Sequence, residues 1–274
     1  MYQEEVAVKL GEGGINCGLI TPEAYGRGMD TLAHFATILH SHQPKQVLAT
    51  GTAALRSAAN GQDFIHEAKE KFNLNIQLIS GEQEAEFIYR GVASAAQLSE
   101  QVLVMDIGGG SVEFIIGTGQ KIVWRSSFPI GAARLEASFH HSDPIAEDDQ
   151  QGIIQHLELE LKTLRHQLNI HQPTLFIGSA GAFETYAALA DRTAELEEKK
   201  LIRLPAIKFQ EVLKNLIRSN KYSRDLDSRI PPVRKDMIVP AAVLTRYVIQ
   251  LLETDQLAIC AFALKEGLMA SLLE

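Results

Sequence analysis

The chain reads as an α/β protein of two lobes, with mixed sheets flanked by helices, and three observations predict this. Short apolar runs of strand length alternate with segments of helical periodicity from one end to the other. Two of the strands, around residues 102–105 and 112–116, are joined by too few residues for a crossover, so an antiparallel hairpin interrupts the alternation. At 274 residues, 46% hydrophobic and 22% charged, the composition is that of an ordinary globular protein with length for two moderate domains. Residues Ala93 to Gln101 are small and polar, and this stretch is the expected crossover between an N-terminal lobe, 1–97, and a C-terminal lobe, 98–274.

Taken in order, Glu5 to Leu10 alternates enough for a strand. Thr21-Pro22-Glu23 opens a helix with a capping threonine, proline at the first position and an early acid, and this helix runs to about Leu39. Gln46 to Thr50 reads as a strand, Ala53 to Ala59 and Asp63 to Phe72 as helices, and Asn75 to Ile79 as a strand. Ser80 to Gln83 has the spacing of a capping box, so a helix begins there and carries Glu84, Ala85, Phe87, Ile88 and Val92. After the hairpin come a third antiparallel strand, Lys121 to Ser127, and a long amphipathic helix, Ile145 to Leu168. Leu175 to Ile177 is a buried strand that turns through Gly178-Ser179-Ala180-Gly181 into a helix. Helical segments are expected at Asp191 to Lys200, Phe209 to Ile217 and Arg234 to Leu252, the last after a Pro231-Pro232 turn. A strand, Leu257 to Phe262, and a helix, Lys265 to Leu273, complete the chain.

Composition also bounds function. A net charge of −8 argues against a nucleic-acid partner held by bulk positive charge, while leaving room for a local basic pocket. Cys17 and Cys260 are unmotivated as a pair, no signal-like N-terminus is visible, and no apolar run reaches about 18 residues. These features predict a cytoplasmic protein without a membrane partner. The histidines show no zinc spacing, and a surface role is expected for adjacent His140 and His141.

The stretch Val102 to Gly117, VLVMDIGGGSVEFIIG, carries the most chemistry. Asp106 ends the first strand, and Gly108, Gly109 and Gly110 can take φ values denied to other residues and bring their N–H groups onto an anion. Ser111 adds a hydroxyl donor. The turn opens into a strand rather than a helix, which disfavours dinucleotide-type and P-loop binding. The alternatives are a phosphate-binding hairpin and a tight glycine hairpin with no ligand. For Gly178 to Gly181, contact with a phosphate or nucleoside and close strand-to-helix packing explain the glycines equally well.

Together with ISGEQEAEFIYRGV and ATGTAALRSAANGQDF before it, and SFPIGAARL, IGSAGAFET and VRKDMIVPA…FALKEGLM after it, DIGGGSVE resembles the exopolyphosphatase / guanosine pentaphosphate phosphohydrolase family. The similarity runs over essentially the whole chain. It implies two ribonuclease-H-like lobes of the actin, sugar-kinase and heat-shock-chaperone superfamily, the first lobe incomplete. It also implies hydrolysis of a terminal phosphoanhydride of inorganic polyphosphate, or of guanosine pentaphosphate, with Mg²⁺ or Mn²⁺ in a cleft between the lobes.

Carried over by position, Glu84 is the general base; its simpler role is an acid complementing a helix N-terminus, which accounts for Glu82 and Glu86. Asp106 matches a metal-associated aspartate acting through bound water, and Gly108 to Ser111 match the phosphate loop. Glu113 then orients water or metal, or else is a strand residue facing solvent. Arg56 matches a phosphate-contacting arginine, the simpler account being a surface ion pair.

One family block is missing. Relatives open with a strand, a D-x-G-[ST]-N turn and a second strand, and LGEGG at Leu10 to Gly14 is no substitute. The expectation is a start lying upstream, or a shortened form with poor turnover. The first lobe then keeps about three strands and an open apolar edge that invites a homodimer. A phosphate-ligand sensor that kept the fold and lost turnover, and a sugar or acetate kinase, are the competing functions.

Overall fold

The computed structural model describes residues 4–272. The chain divides into two units, Met1–Ser80 and Gly81–Glu274.

The first unit contains α1 (Pro22–His42), β1 (Ala49–Gly51), α2 (Ala53–Ser57), α3 (Gly61–Phe72) and β2 (Ile76–Leu78). Thr21 caps α1 as expected, its side chain accepting from the Ala24 N–H at 3.3 Å, with Pro22 in the first turn, where no backbone donor is missed. β1 and β2 pair in parallel, Ala49 with Ile76 and Gly51 with Leu78. The unit packs around Ile20, Ala24, Met29, Leu55, Phe64 and Ala68. Residues 5–9 form no strand, contrary to their alternating pattern. The Val8 carbonyl accepts from Arg27 Nε at 3.0 Å, so a side chain of α1 takes the place of a sheet neighbour.

The second unit is built on α4 (Gly81–Ala95), β3 (Val102–Ile107), β4 (Val112–Thr118), β5 (Lys121–Phe128), α5 (Ala132–Phe139), α6 (Glu147–Glu160) and α7 (Lys162–His171). It continues through β6 (Leu175–Ser179), α8 (Gly181–Leu189), α9 (Thr193–Lys199), β7 (Leu201–Leu204), α10 (Ala206–Arg218) and α11 (Lys221–Leu226). A 3₁₀ turn at Pro232–Arg234, α12 (Ile238–Leu252), β8 (Leu257–Cys260) and α13 (Leu264–Ala270) complete it. The six strands form one sheet in the order β5-β4-β3-β6-β8-β7. β5, β4 and β3 are antiparallel, β6 and β8 run parallel to β3, and β7 is an antiparallel edge.

Strand alternation assigns the two faces. Leu103, Met105 and Ile107 pack with the helices from α5 to α12, whereas Val102, Val104, Ile115, Ile177 and Cys260 pack with α4. Each large apolar side chain buried in these layers contributes about 1.5–3 kcal/mol. α4 is held by α13 at very close range. A Cβ at Gly91 would lie 2.1 Å from the Ala263 carbonyl oxygen, and one at Gly267 would lie 1.7 Å from that of Phe87. Only glycine permits this approach from both sides. The helix 81–95, which the sequence assigns to the N-terminal lobe, is thereby part of the second unit, because its buried face is completed there.

Other differences are local. The expected helix 145–168 is two helices, with Leu161 at φ −94° and ψ 19° between them. α5, β7 and α11 were not anticipated, although Asn220 caps α11 in the ordinary way, its side chain accepting from the Ser223 N–H at 2.8 Å. His140 is half-buried rather than a surface residue, and its pKa is lowered by burial and by the Arg224 charge.

Candidate functional site

A row of polar side chains crosses the sheet at the ends of its central strands. In register, Ser127 of β5 stands opposite Glu113 of β4, Glu113 opposite Asp106 of β3, and Asp106 beside Ser179 of β6. Alternation puts this row on the face covered by α4, in line with Val104, Ile115 and Ile177. Glu113 is 1% exposed, which rules out a solvent-facing strand residue. Its Oε1 accepts from Ser111 Oγ at 2.7 Å and from Ser127 Oγ at 2.6 Å. Ser179 Oγ donates to Asp106 Oδ2 at 3.3 Å.

Burial holds the Asp106 carboxyl well above the usual carboxylate range, and the charges of Glu113 and Glu84 push in the same direction, against the Ser179 hydrogen bond. Glu84 sits in the first turn of α4 and is buried. Its neighbours differ from it: Glu82 is exposed, and Glu86 pairs with Arg90 at 3.0 Å and Arg125 at 3.2 Å. The structure thus brings Glu84, Asp106 and Glu113 into electrostatic contact and leaves the other helix acids outside.

The glycine turn lies between Asp106 and Glu113 in the chain. The Gly108 N–H donates to the Ser111 carbonyl at 3.0 Å, and the first amides of α5 donate to the turn: Ala132 N–H to Gly108 O at 2.9 Å, Ala133 N–H to Gly109 O at 3.0 Å. Arg134 Nε donates to Gly110 O at 2.9 Å. The turn carbonyls are therefore satisfied from the α5 side. Gly131 makes this docking possible, since a Cβ there would lie 2.4 Å from Gly109 O. Contrary to expectation, Gly108 and Gly109 do not use left-handed backbone. Gly109 is exposed, and a Cβ on it would meet only Ala133 Cβ, at 3.7 Å. Neither conformation nor packing requires glycine at that position.

At the second glycine turn, Ala180 holds φ +67° and ψ −174°, a region nearly restricted to glycine, directly before α8. Arg234 lies flat against Gly181, where a Cβ would stand 1.7 Å from Nη2, and its guanidinium is 3.7 Å from Glu184. A cavity of about 200 Å³ joins the two turns, lined by Gly108, Gly109, Gly181, Val233, Arg234 and Met237. Close packing thus accounts for Gly181, and the cavity beside it is open to a ligand. Arg56 belongs to the first unit; it is half-buried on α2 and donates from Nη1 to the Ile79 carbonyl at 2.8 Å.

Sequence reasoning missed Ser127, Ser179, Arg134 and Arg234. The two serines become visible only once register is known. Arg134 falls inside the SFPIGAARL block already singled out, and Arg234 inside VRKDMIVPA.

Among the described residues no set of three or more His, Cys, Asp or Glu side chains gathers as a metal cage. The donor set nonetheless fits a hard cation of the Mg²⁺ type, which takes one or two carboxylates and completes its shell with water and substrate phosphate. Asp106, buried beside the charges of Glu113 and Glu84, is the carboxylate a cation would relieve most. No helix among the described residues is long and apolar enough to cross a membrane.

Residues 1–274 match the profile described as the Ppx/GppA phosphatase family. The chain is similar to a crystal structure of an exopolyphosphatase from Cytophaga hutchinsonii, with 38% identity and a TM-score of 0.96 over 100% of this chain and 89% of that one. It is 28% identical to a Haemophilus influenzae protein named "Putative exopolyphosphatase", over 97% of this chain and 81% of that protein. A Ppx/GppA family member from Aquifex aeolicus shares the fold, with 23% identity and a TM-score of 0.79 over 97% of this chain and 86% of its own.

Proposed function

Because the chain belongs to the Ppx/GppA phosphatase family, we propose that it is an exopolyphosphatase, hydrolysing the terminal phosphoanhydride of inorganic polyphosphate. The observation that carries this reading is the buried Glu84 carboxylate, whose charge reaches Asp106 at the end of the strand leading into the glycine turn. Its similarity to an exopolyphosphatase structure at 38% identity supports the substrate class.

In the proposed reaction a water oxygen attacks the terminal phosphorus, the bridging P–O bond breaks, and orthophosphate leaves a chain shorter by one unit. Glu84 takes the proton of the attacking water. Backbone N–H groups of Gly109 and Gly110 hold the phosphate oxygens, the Gly108 N–H and the Ser111 hydroxyl being engaged inside the turn with the Ser111 carbonyl and Glu113, and exposed Gly109 lets the ligand approach where a side chain would stand. For Arg56, in the first unit, the family resemblance implies a planar grip on phosphate, which its substitutions test. Asp106 and Glu113 would hold Mg²⁺ or Mn²⁺ through bound water, and the cation would neutralise charge on the phosphate oxygens. The serines fix Glu113: with Ser111 and Ser127 both donating to Oε1, its carboxylate has one orientation.

A second reading, removal of the 5′-phosphate of guanosine pentaphosphate, is favoured by the cavity beside the turn, whose apolar Val233 and Met237 and cationic Arg234 suit a nucleoside better than a bare phosphate chain. Phosphate release from long-chain polyphosphate, guanosine pentaphosphate and ATP, each with Mg²⁺, separates these readings. Release from polyphosphate is expected to be fastest. Release only from guanosine pentaphosphate would favour the second reading, and release from none would leave a phosphate-binding protein without turnover.

A further inference from the structure

A second concentration of positive charge lies in the helical layer on the far face of the six-stranded sheet, away from the Asp106 and Glu113 side chains. There a cavity of about 540 Å³ opens between α6, α10 and α12, lined by Pro144, Gln150, Gln210, Lys214, Arg218 and Arg246 among others. No carboxylate lines it among the described residues, in a chain whose net charge is −8. The cluster is therefore not a sample of a generally basic surface.

Its members are arranged at a cost. Lys214 and Arg218 are exposed and one turn apart on α10, where like charges repel. Arg246, half-buried on α12, donates from Nη2 to Gln150 Oε1 at 3.2 Å, a neutral acceptor. Burial lowers its pKa. A partly desolvated guanidinium on an amide oxygen is poorly compensated, and a multivalent anion would relieve all three cations together.

We infer that this cavity is a second anion site, remote from the glycine turn, that takes a condensed inorganic phosphate. A chain of closely spaced phosphates matches cations set a helical turn apart, with the amides of Gln150 and Gln210 as neutral donors. Nucleic acid fits less well, because no aromatic side chain lines the cavity for a base to stack on. The inference does not depend on turnover at the glycine turn.

The test is calorimetric titration with inorganic tripolyphosphate, without divalent cation, of the wild-type protein, the Lys214→Gln/Arg218→Gln double variant, Arg246→Gln and Gly109→Ala. Both α10 residues are exposed, so the double variant keeps the fold, checked by its circular dichroism. A binding component is expected that weakens about tenfold or more in the double variant and in Arg246→Gln, and persists in Gly109→Ala. Binding lost only in Gly109→Ala would instead describe the glycine turn and overturn the second site. Equal tripolyphosphate affinity in wild type and double variant, no binding by wild type, or tighter binding of a single-stranded oligonucleotide would overturn it as well.

Discussion

Asp106 and Glu113 stand directly opposite each other on antiparallel β3 and β4, both almost fully removed from solvent. Like charges at opposed positions of a sheet destabilise it. The pair is kept because Ser111 and Ser127 donate to Glu113 and Ser179 donates to Asp106, and because Asp106 is held in a range where it keeps its proton longer than an ordinary aspartate.

That raised pKa makes a pH prediction. Below the ordinary value of 3.8, both folded and unfolded states carry the Asp106 proton, and the group adds no penalty. As pH rises, the unfolded chain releases the proton first, so the folded state binds more protons and loses stability until its own raised pKa is passed. Asp106→Asn removes this term. Urea denaturation between pH 4 and pH 8 is expected to show the variant gaining on wild type as pH rises, with phosphate release reduced. A constant offset across the range would contradict the assignment.

Glu84 and Glu82 provide an internal contrast on one helical turn. Glu84→Ala is expected to lower kcat about 10²- to 10⁴-fold with little change in KM, the range for loss of a general base. Glu82→Ala, at an exposed position, should stay near wild type. Steady-state phosphate release from polyphosphate checks both, and near-full activity in Glu84→Ala would remove Glu84 from the base role.

The two glycines at the turn should part ways. Gly131→Ala puts a Cβ 2.4 Å from Gly109 O and is expected to destabilise the protein by about 1–3 kcal/mol. Gly109→Ala meets only Ala133 at 3.7 Å and should change stability by no more than about 0.5 kcal/mol. If Gly109 is glycine for the ligand's sake, its alanine variant nevertheless loses about 10²-fold in turnover. Thermal melts and phosphate release on the two variants give the comparison.

These contrasts mark how far the sequence carried. The β3–β4 hairpin, the capped helix at Thr21 and the strand from Leu175 were legible because each signal is local: an apolar run, a cap, a glycine turn. The segment 5–9 misled because alternation reports a half-buried strand only when a neighbouring strand exists to pair with it. Glu84 was distinguishable from Glu82 and Glu86 by resemblance, whereas its burial shows only in the packed fold, where α4 also meets α13 through Gly91 and Gly267, residues far apart in the chain. Ser127 and Ser179 were invisible for the same reason, since each is defined by the residue across the ladder.

Arg56 is the candidate whose two roles are most cleanly separated by substitution. Its Nη1 bond to the Ile79 carbonyl ties α2 to the end of β2, and loss of such a bond costs about 1 kcal/mol. If that tie is its whole purpose, Arg56→Ala lowers the melting temperature and leaves kcat/KM unchanged when measured well below it. If the guanidinium also grips phosphate, Arg56→Lys retains a cation but loses the planar bidentate geometry. KM for polyphosphate is then expected to rise about tenfold in Arg56→Lys and further in Arg56→Ala, consistent with loss of a charge-assisted bond. Raising ionic strength should narrow the gap between wild type and Arg56→Ala, because screening weakens the contact only where the residue meets the anion. A salt-independent gap confined to the melting temperature would assign Arg56 to the fold alone.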